Sequence, residues 1–155
     1  MITVRQVYEA MQAIAPLELA ESWDNPGLLV DCGGAVHRVL TALDITPEVV
    51  EEAAAKQCEM IVSHHPVIFS PLKKLTPRDV SFQLVQKGIS AICMHTNLDA
   101  AEGGVNDVLA QKLGLERLTP LTEEKIGRIG TLKCEIPLVE FTHFVIESLG
   151  CNGLR

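Results

Sequence analysis

Three short apolar runs, each breaking off at side chains that can bind a metal, constrain the fold of this chain more than any other feature. One runs from Arg38 to Asp44, one from Glu59 to Ser63 before His64-His65-Pro66, and one from Ile89 to Met94 before His95-Thr96-Asn97-Leu98-Asp99. Short apolar runs set between helical patterns are how strands buried on both faces of a parallel sheet read. Open α/β sheets bind ligands outside the carboxyl ends of their strands. Asp44, His64, His65, His95 and Asp99 are therefore expected to converge at one sheet edge. Imidazole nitrogen mixed with carboxylate oxygen suits zinc, iron, manganese or nickel better than magnesium or calcium.

In a regular strand, adjacent side chains point to opposite faces, so His64 and His65 can share a site only where the backbone leaves strand geometry. Pro66 favours such a break, because it restricts the residue before it and cannot donate to a ladder. A lone histidine at a strand end is ordinarily a hydrogen-bonded structural residue. Here the pair, together with His95 and Asp99 at a neighbouring end, points to a metal, while His37 and His143 lack such partners and read as surface or packing residues.

The helices are legible from their ends. Thr3 and Gln6 form a capping-box pattern ahead of Val7, Met11 and Ile14, predicting a helix over residues 4 to 15. Thr46 followed by Pro47 opens a second helix reaching residue 57, and Thr76, Pro77 and Asp79 open a third that Gly88 closes. Trp23-Asp24-Asn25-Pro26-Gly27 reads as a turn feeding a strand from Leu28 to Asp31. Gly103-Gly104, ahead of a helical pattern through Val105, Val108, Leu109 and Leu113, is a candidate phosphate cradle, although the pair lacks the spacing of common glycine-rich nucleotide motifs. The fold class is α/β, a mostly parallel sheet with helices on both faces. Composition shifts after Leu118, so residues 1–118 are expected to form the domain bearing the metal site and residues 119–155 the start of a second segment. An α/β chain that stops just after a helix, at Gly153-Leu154-Arg155, looks cut short.

At 155 residues and 47% hydrophobic content, the chain can bury a real core. It has no apolar stretch long enough to span a bilayer, and its amphipathic N-terminus does not read as a signal peptide, which fits a cytoplasmic protein with no membrane partner. Its five cysteines are single, odd in number and without C-x-x-C spacing, so neither a disulfide framework nor a zinc ribbon is expected. A formal net charge of −7 argues against nucleic-acid binding, and the small Lys73-Lys74-Arg78 cluster reads as a solvated loop.

Several segments together resemble the GTP cyclohydrolase I type 2 homologues, the Nif-three-like proteins. They are Trp23-Asp24-Asn25-Pro26-Gly27-Leu28-Leu29-Val30, Ala42-Leu43-Asp44-Ile45-Thr46-Pro47, Ser63-His64-His65-Pro66, the block from His95 through Asn97-Leu98-Asp99-Ala100-Ala101 to Gly103-Gly104-Val105-Asn106-Asp107, and Ile126-Gly127-Arg128-Ile129-Gly130. The resemblance implies a Nif-three-like α/β fold with a dinuclear metal centre of two divalent transition-metal ions, assembled as a homohexameric toroid. It makes His64, His65 and Asp99 metal ligands, with His95 a weaker candidate beside them. In that family a late segment, past the stretch that this chain resembles, adds a histidine and a glutamate four residues apart, so the 155-residue chain is expected to carry part of the ligand set and to bind at least one ion weakly. Two functional classes fit. The first is a metal-dependent hydrolase acting on a nucleotide or another phosphorylated small molecule through activated water, with Asp44 either a supporting acid or base or a cap near Thr46. The second is a non-catalytic metal-dependent binding or regulatory toroid.

Overall fold

A computed structural model describes residues 1–154. The elements follow in the order β1 (Ile2–Thr3), α1 (Val4–Ile14), a 3-10 turn (Leu17–Leu19), β2 (Gly27–Val30), β3 (Ala35–Val36), β4 (Val39–Ala42), α2 (Pro47–Ala55) and β5 (Met60–Ser63). They continue with α3 (Val80–Lys87), β6 (Ser90–Cys93), α4 (Thr96–Ala100), α5 (Val105–Lys112), β7 (Glu116–Pro120), β8 (Arg128–Thr131) and α6 (Leu138–Leu149). Local chemistry sets the helix starts. Thr3 and Gln6 form the reciprocal capping box, and Thr46 caps α2 through Val49 N–H with Pro47 at the first helical position. Ahead of α3 the sequence grammar resolves differently. Asp79 is the cap residue, and its carboxylate takes bonds from the Thr76 N–H and hydroxyl at 2.6 Å each, so Thr76 and Pro77 build the preceding turn. Gly88 ends α3 in the left-handed conformation, at φ 68°, which suits a residue without a Cβ.

The central sheet has the order β2-β6-β5-β4. β4, β5 and β6 run parallel, pairing Ala42 with Ser63 and Ser63 with Cys93, so their carboxyl ends lie in one row. β2 is antiparallel to β6, with Gly27 opposite Cys93. Its first residues therefore stand at the carboxyl end of β6, and the turn leading into it belongs to the same edge. Gly27 makes the entry at φ 111°, a value that a residue with a Cβ rarely adopts.

Alternation along the strands divides the core between the two faces of the sheet. Ile61, Ala91 and Val30 pack with Val50 and Ala53 of α2 and Leu84 of α3. Met60 and Ile92 pack with Val4 of α1, and with Met94 and Ala101, on the other side. Burying both faces explains why β5 and β6 read as continuous apolar runs. By contrast β4, at the edge of the sheet, leaves Val39 and Thr41 exposed and packs only Leu40 and Ala42 against the core, so it is not the doubly buried strand its sequence suggests.

These elements make one compact unit, Met1–Ala101, and a second begins at Glu102. The compositional shift after Leu118 thus falls inside the second unit, because α5 packs against β7 and β8. In that unit Gly130 of β8 lies where a Cβ would come within 2.8 to 3.0 Å of Leu118, Leu115 and the Glu116 carbonyl. No helix among the described residues is long and apolar enough to cross a membrane.

Candidate metal centre

Strand β5 stops at Ser63, and a bend follows. The bend is held by backbone bonds from His64 N–H to Ala42 O and His65 N–H to Leu43 O, by the Ser63 hydroxyl on His65 O, and by the Cys93 thiol on His64 O. It answers the objection from strand geometry, since the His64 and His65 rings lie with centroids 5.0 Å apart on one side. His95, directly after β6, brings a third ring to within 5.1 Å of His64 and 5.6 Å of His65. One ring nitrogen from each of the three falls within 4.8 Å of the other two, which is close enough to ligate a single ion.

Each ring has already committed its Nδ1. His64 Nδ1 donates to Met94 O at 3.0 Å, His65 Nδ1 to Asp44 Oδ1 at 2.7 Å and His95 Nδ1 to Asp24 Oδ1 at 2.8 Å. Carbonyl and carboxylate oxygens accept, so the proton sits on Nδ1 and the Nε2 lone pair of each ring is left for another partner. Metal-bound histidines almost always show this arrangement. Asp99 Oδ1 lies 3.8 Å from His64 Nε2. Asp99 is carried by the short helix α4, Thr96–Ala100, which starts directly after His95. Three imidazoles and an adjacent carboxylate make a donor set that fits a divalent transition metal.

Of the residues singled out in the sequence, His64, His65 and His95 come together, Asp99 stands beside His64, and Asp44 supports His65 from behind. Asp44 is thus a histidine partner rather than a helix cap, a role that falls to Thr46. His37 sits on Glu59 instead of in the cluster, and His143, in the second unit, is exposed on α6. Lys73, Lys74 and Arg78 are exposed, as the solvated-loop reading expects. The Gly103-Gly104 turn is not an open cradle, since Gly103 N–H already donates to Asp107 at 2.6 Å.

Sequence reasoning read Asp24 as a turn residue and nothing more. Burial pushes its carboxyl upward, but bonds from His95, the Thr96 hydroxyl and N–H, and Asn25 N–H outweigh that and hold it below the usual carboxylate range. Beside it, Trp23 stands edge-on to His95 with centroids 6.3 Å apart, and it also touches Phe69. Asn25 Nδ2 donates to Ile68 O at 2.6 Å, joining this turn to the segment carrying Phe69.

The model of the Duf34/NIF3 family, NGG1p interacting factor 3, matches residues 2–155. The chain belongs to the DUF34/NIF3 family. A "GTP cyclohydrolase 1 type 2 homolog" of Clostridium acetobutylicum is 32% identical over 99% of this NIF3 chain and 62% of its own length. Among solved structures, a Staphylococcus aureus hypothetical protein superposes with a TM-score of 0.85 at 27% identity, over 99% of this chain and 66% of that one. Reduced HcgD from Methanocaldococcus jannaschii gives a TM-score of 0.81 at 27% identity, over 95% of this chain and 61% of that one. The NIF3 chain described here therefore spans about 62% of the length of its Clostridium relative.

Proposed function

We propose that His64, His65 and Asp99, with His95 beside them, hold divalent transition-metal ions, two in the family's arrangement, and that the protein is a metal-dependent hydrolase of a nucleotide or another phosphorylated small molecule. The observation carrying this reading is the convergence of three imidazoles whose Nδ1 atoms are all spoken for, leaving three Nε2 donors beside a carboxylate. An ion held there supplies Lewis acidity and lowers the pKa of a bound water. The chain's own residues do the rest: Asp24, Asp44 and Met94 O fix the rings, and Trp23 walls one side of His95.

Covalent nucleophiles are poorly supported. The Cys93 thiol is buried, bonded to His64 O and pushed up to about 12, and the Ser63 hydroxyl is engaged by His65 O. Water activated at the cluster is the better candidate. The non-catalytic reading has one observation of its own. Trp23, edge-on to His95, and Phe69, against Trp23, are more than half exposed, which suits recognition of a partner or a second copy in a homo-oligomer.

The test reconstitutes the purified protein with zinc, manganese, iron or nickel, measures retained metal after dialysis, and then assays a panel of nucleotides and sugar phosphates. Retained metal with phosphate or ring-opened product supports the hydrolase. Retained metal without turnover on any member moves the assignment to the binding class, and no saturable binding of any of the four metals in an equilibrium titration overturns the metal centre.

A further inference from the structure

Resting on the metal reading above, we propose that Asp24 is a positioning residue of the centre, locking the His95 ring so that Nε2 of His95 is a third imidazole donor beside His64 and His65. The Asp24 side chain has no solvent exposure, and that of His95 retains 17%. Oδ1 accepts from His95 Nδ1 at 2.8 Å and from Asn25 N–H at 2.7 Å. Oδ2 accepts from the Thr96 hydroxyl at 2.5 Å and from Thr96 N–H at 3.1 Å. With two donors on each oxygen, the carboxylate is an acceptor throughout, and Nδ1 of His95 must be the protonated nitrogen.

A buried carboxylate is costly unless its surroundings are built for it, and here they are built from both sides of the His95 junction. Thr96 supplies two of the four bonds, and its hydroxyl in turn accepts from Glu21 N–H at 3.0 Å, so the turn before β2 and the start of α4 are tied into one network around the ring. Trp23, next in sequence, closes the edge of the same imidazole. The antiparallel pairing of Gly27 with Cys93 makes this contact inevitable, since it sets the residues before β2 against those after β6. His65 offers a contrast: its Asp44 partner gives a single bond, and the two side chains are 45% and 56% exposed. His95 is thus more firmly oriented than a residue already expected to be a ligand.

The test compares wild-type protein with Asp24→Asn, His95→Gln and the double variant, titrating each with Co(II) and recording affinity and the visible absorption of the bound ion. Asp24→Asn is expected to lower cobalt affinity by about 10- to 100-fold and to shift the spectrum towards that of His95→Gln. In the His95→Gln background it is expected to add little, because the two residues act through one bond. Wild-type affinity and spectrum in Asp24→Asn, or an undiminished effect in the His95→Gln background, would overturn the proposal. A wild-type protein that binds no cobalt would instead overturn the metal reading on which it rests. Should Asp24→Asn fail to fold, long-range proton–nitrogen NMR on the wild-type apo protein decides, with His95→Gln giving the assignment. An Nδ1–H tautomer at His95 supports the lock, and an Nε2–H tautomer refutes it.

Discussion

His65 Nδ1 donates to Asp44 Oδ1 at 2.7 Å across the ends of two adjacent parallel strands. The bond arises from register: Ala42 pairs with Ser63, so the second residue past each strand end meets its counterpart. Both side chains are half exposed, and water can substitute for the carboxylate. Asp44→Asn is therefore expected to fold normally and to weaken metal binding by about 10-fold, the lower end of the range for the partner of a metal-bound histidine. Isothermal titration with zinc checks this, and a loss as large as that from His65→Ala would mean that Asp44 is itself a ligand.

Removing a ring should cost more than removing its partner. His64→Ala deletes a donor that also stands 3.8 Å from Asp99. Its expected effect is a drop in affinity well beyond the ~10- to 100-fold typical of a supporting partner, with the thermal midpoint of the apo protein little changed. Because bound metal stabilises only the folded state, the rise in midpoint on adding zinc should shrink as well. An equal zinc-induced rise in wild type and His64→Ala would place the ion elsewhere.

Glu59 gives a stability that depends on pH. Its carboxylate accepts His37 N–H at 3.0 Å and Arg38 N–H at 2.9 Å, and these backbone bonds pull its pKa from 4.5 to about 2. A depressed folded pKa contributes stability that is fully present above the unfolded value and lost as pH falls through the folded one. The advantage of wild type over Glu59→Gln should thus be constant above pH 4.5 and shrink between there and about pH 2. Urea midpoints for both proteins across that interval test it, and a difference that does not change with pH would refute it.

The ends of β5 and β6 were legible because strands buried on both faces are continuous apolar runs, and the polar residue that stops each run is where the strand leaves the core. Strand β4 showed a similar run although Val39 and Thr41 are exposed. Val39–Ala42, Met60–Ser63 and Ser90–Cys93 each fall within the stretch expected. Asp24 was not legible in its role. In an all-parallel sheet, a residue preceding a strand belongs to the opposite edge from His95, and only the antiparallel β2 reverses that. Strand direction at a sheet edge depends on long-range pairing that no local pattern encodes. Helix α4 was also missed as a helix, since five residues, Thr96–Ala100, are too few to show a period. The pairing of β1 with β3, two residues each, is below the length at which alternation can be read.

Within the second unit, Arg128 of β8 bonds to Asp107 of α5, and the two side chains are 8% and 13% exposed. Arg128 also donates to Lys125 O and Gly127 O, while Asp107 accepts Gly103 N–H, so the pair joins the helix to the hairpin at several points. The Arg128 hydrogen bond holds the Asp107 carboxyl below its ordinary 3.8. Arg128→Met leaves that mostly buried carboxylate without its cation and is expected to destabilise the unit by about 3 kcal/mol, near the low end for breaking a buried pair. Adding Asp107→Asn should recover part of the loss, because the stranded charge is then gone. Chemical denaturation of the single and double variants measures it, and strictly additive losses would show that the two residues do not act as a pair.

Cys93 lies at the end of β6, two residues from His95, yet its sulfur is not in the cluster. The thiol donates to His64 O at 3.0 Å, and burial, reinforced by the nearby Asp24 charge, pushes it up to about 12. A thiol attacks an electrophile as the thiolate, and in the metal-free protein this one keeps its proton at neutral pH. Two outcomes follow for the native protein. Iodoacetamide should modify the exposed Cys134 readily and spare the buried Cys58 and Cys93 until denaturant is added, as peptide mass spectrometry will show. Cadmium, which favours sulfur where a thiolate is available, should bind at the histidines without a sulfur-to-metal charge-transfer band. Such a band, lost in Cys93→Ser but kept in Cys134→Ser, would make Cys93 a ligand and require a donor set different from the nitrogen and oxygen one described.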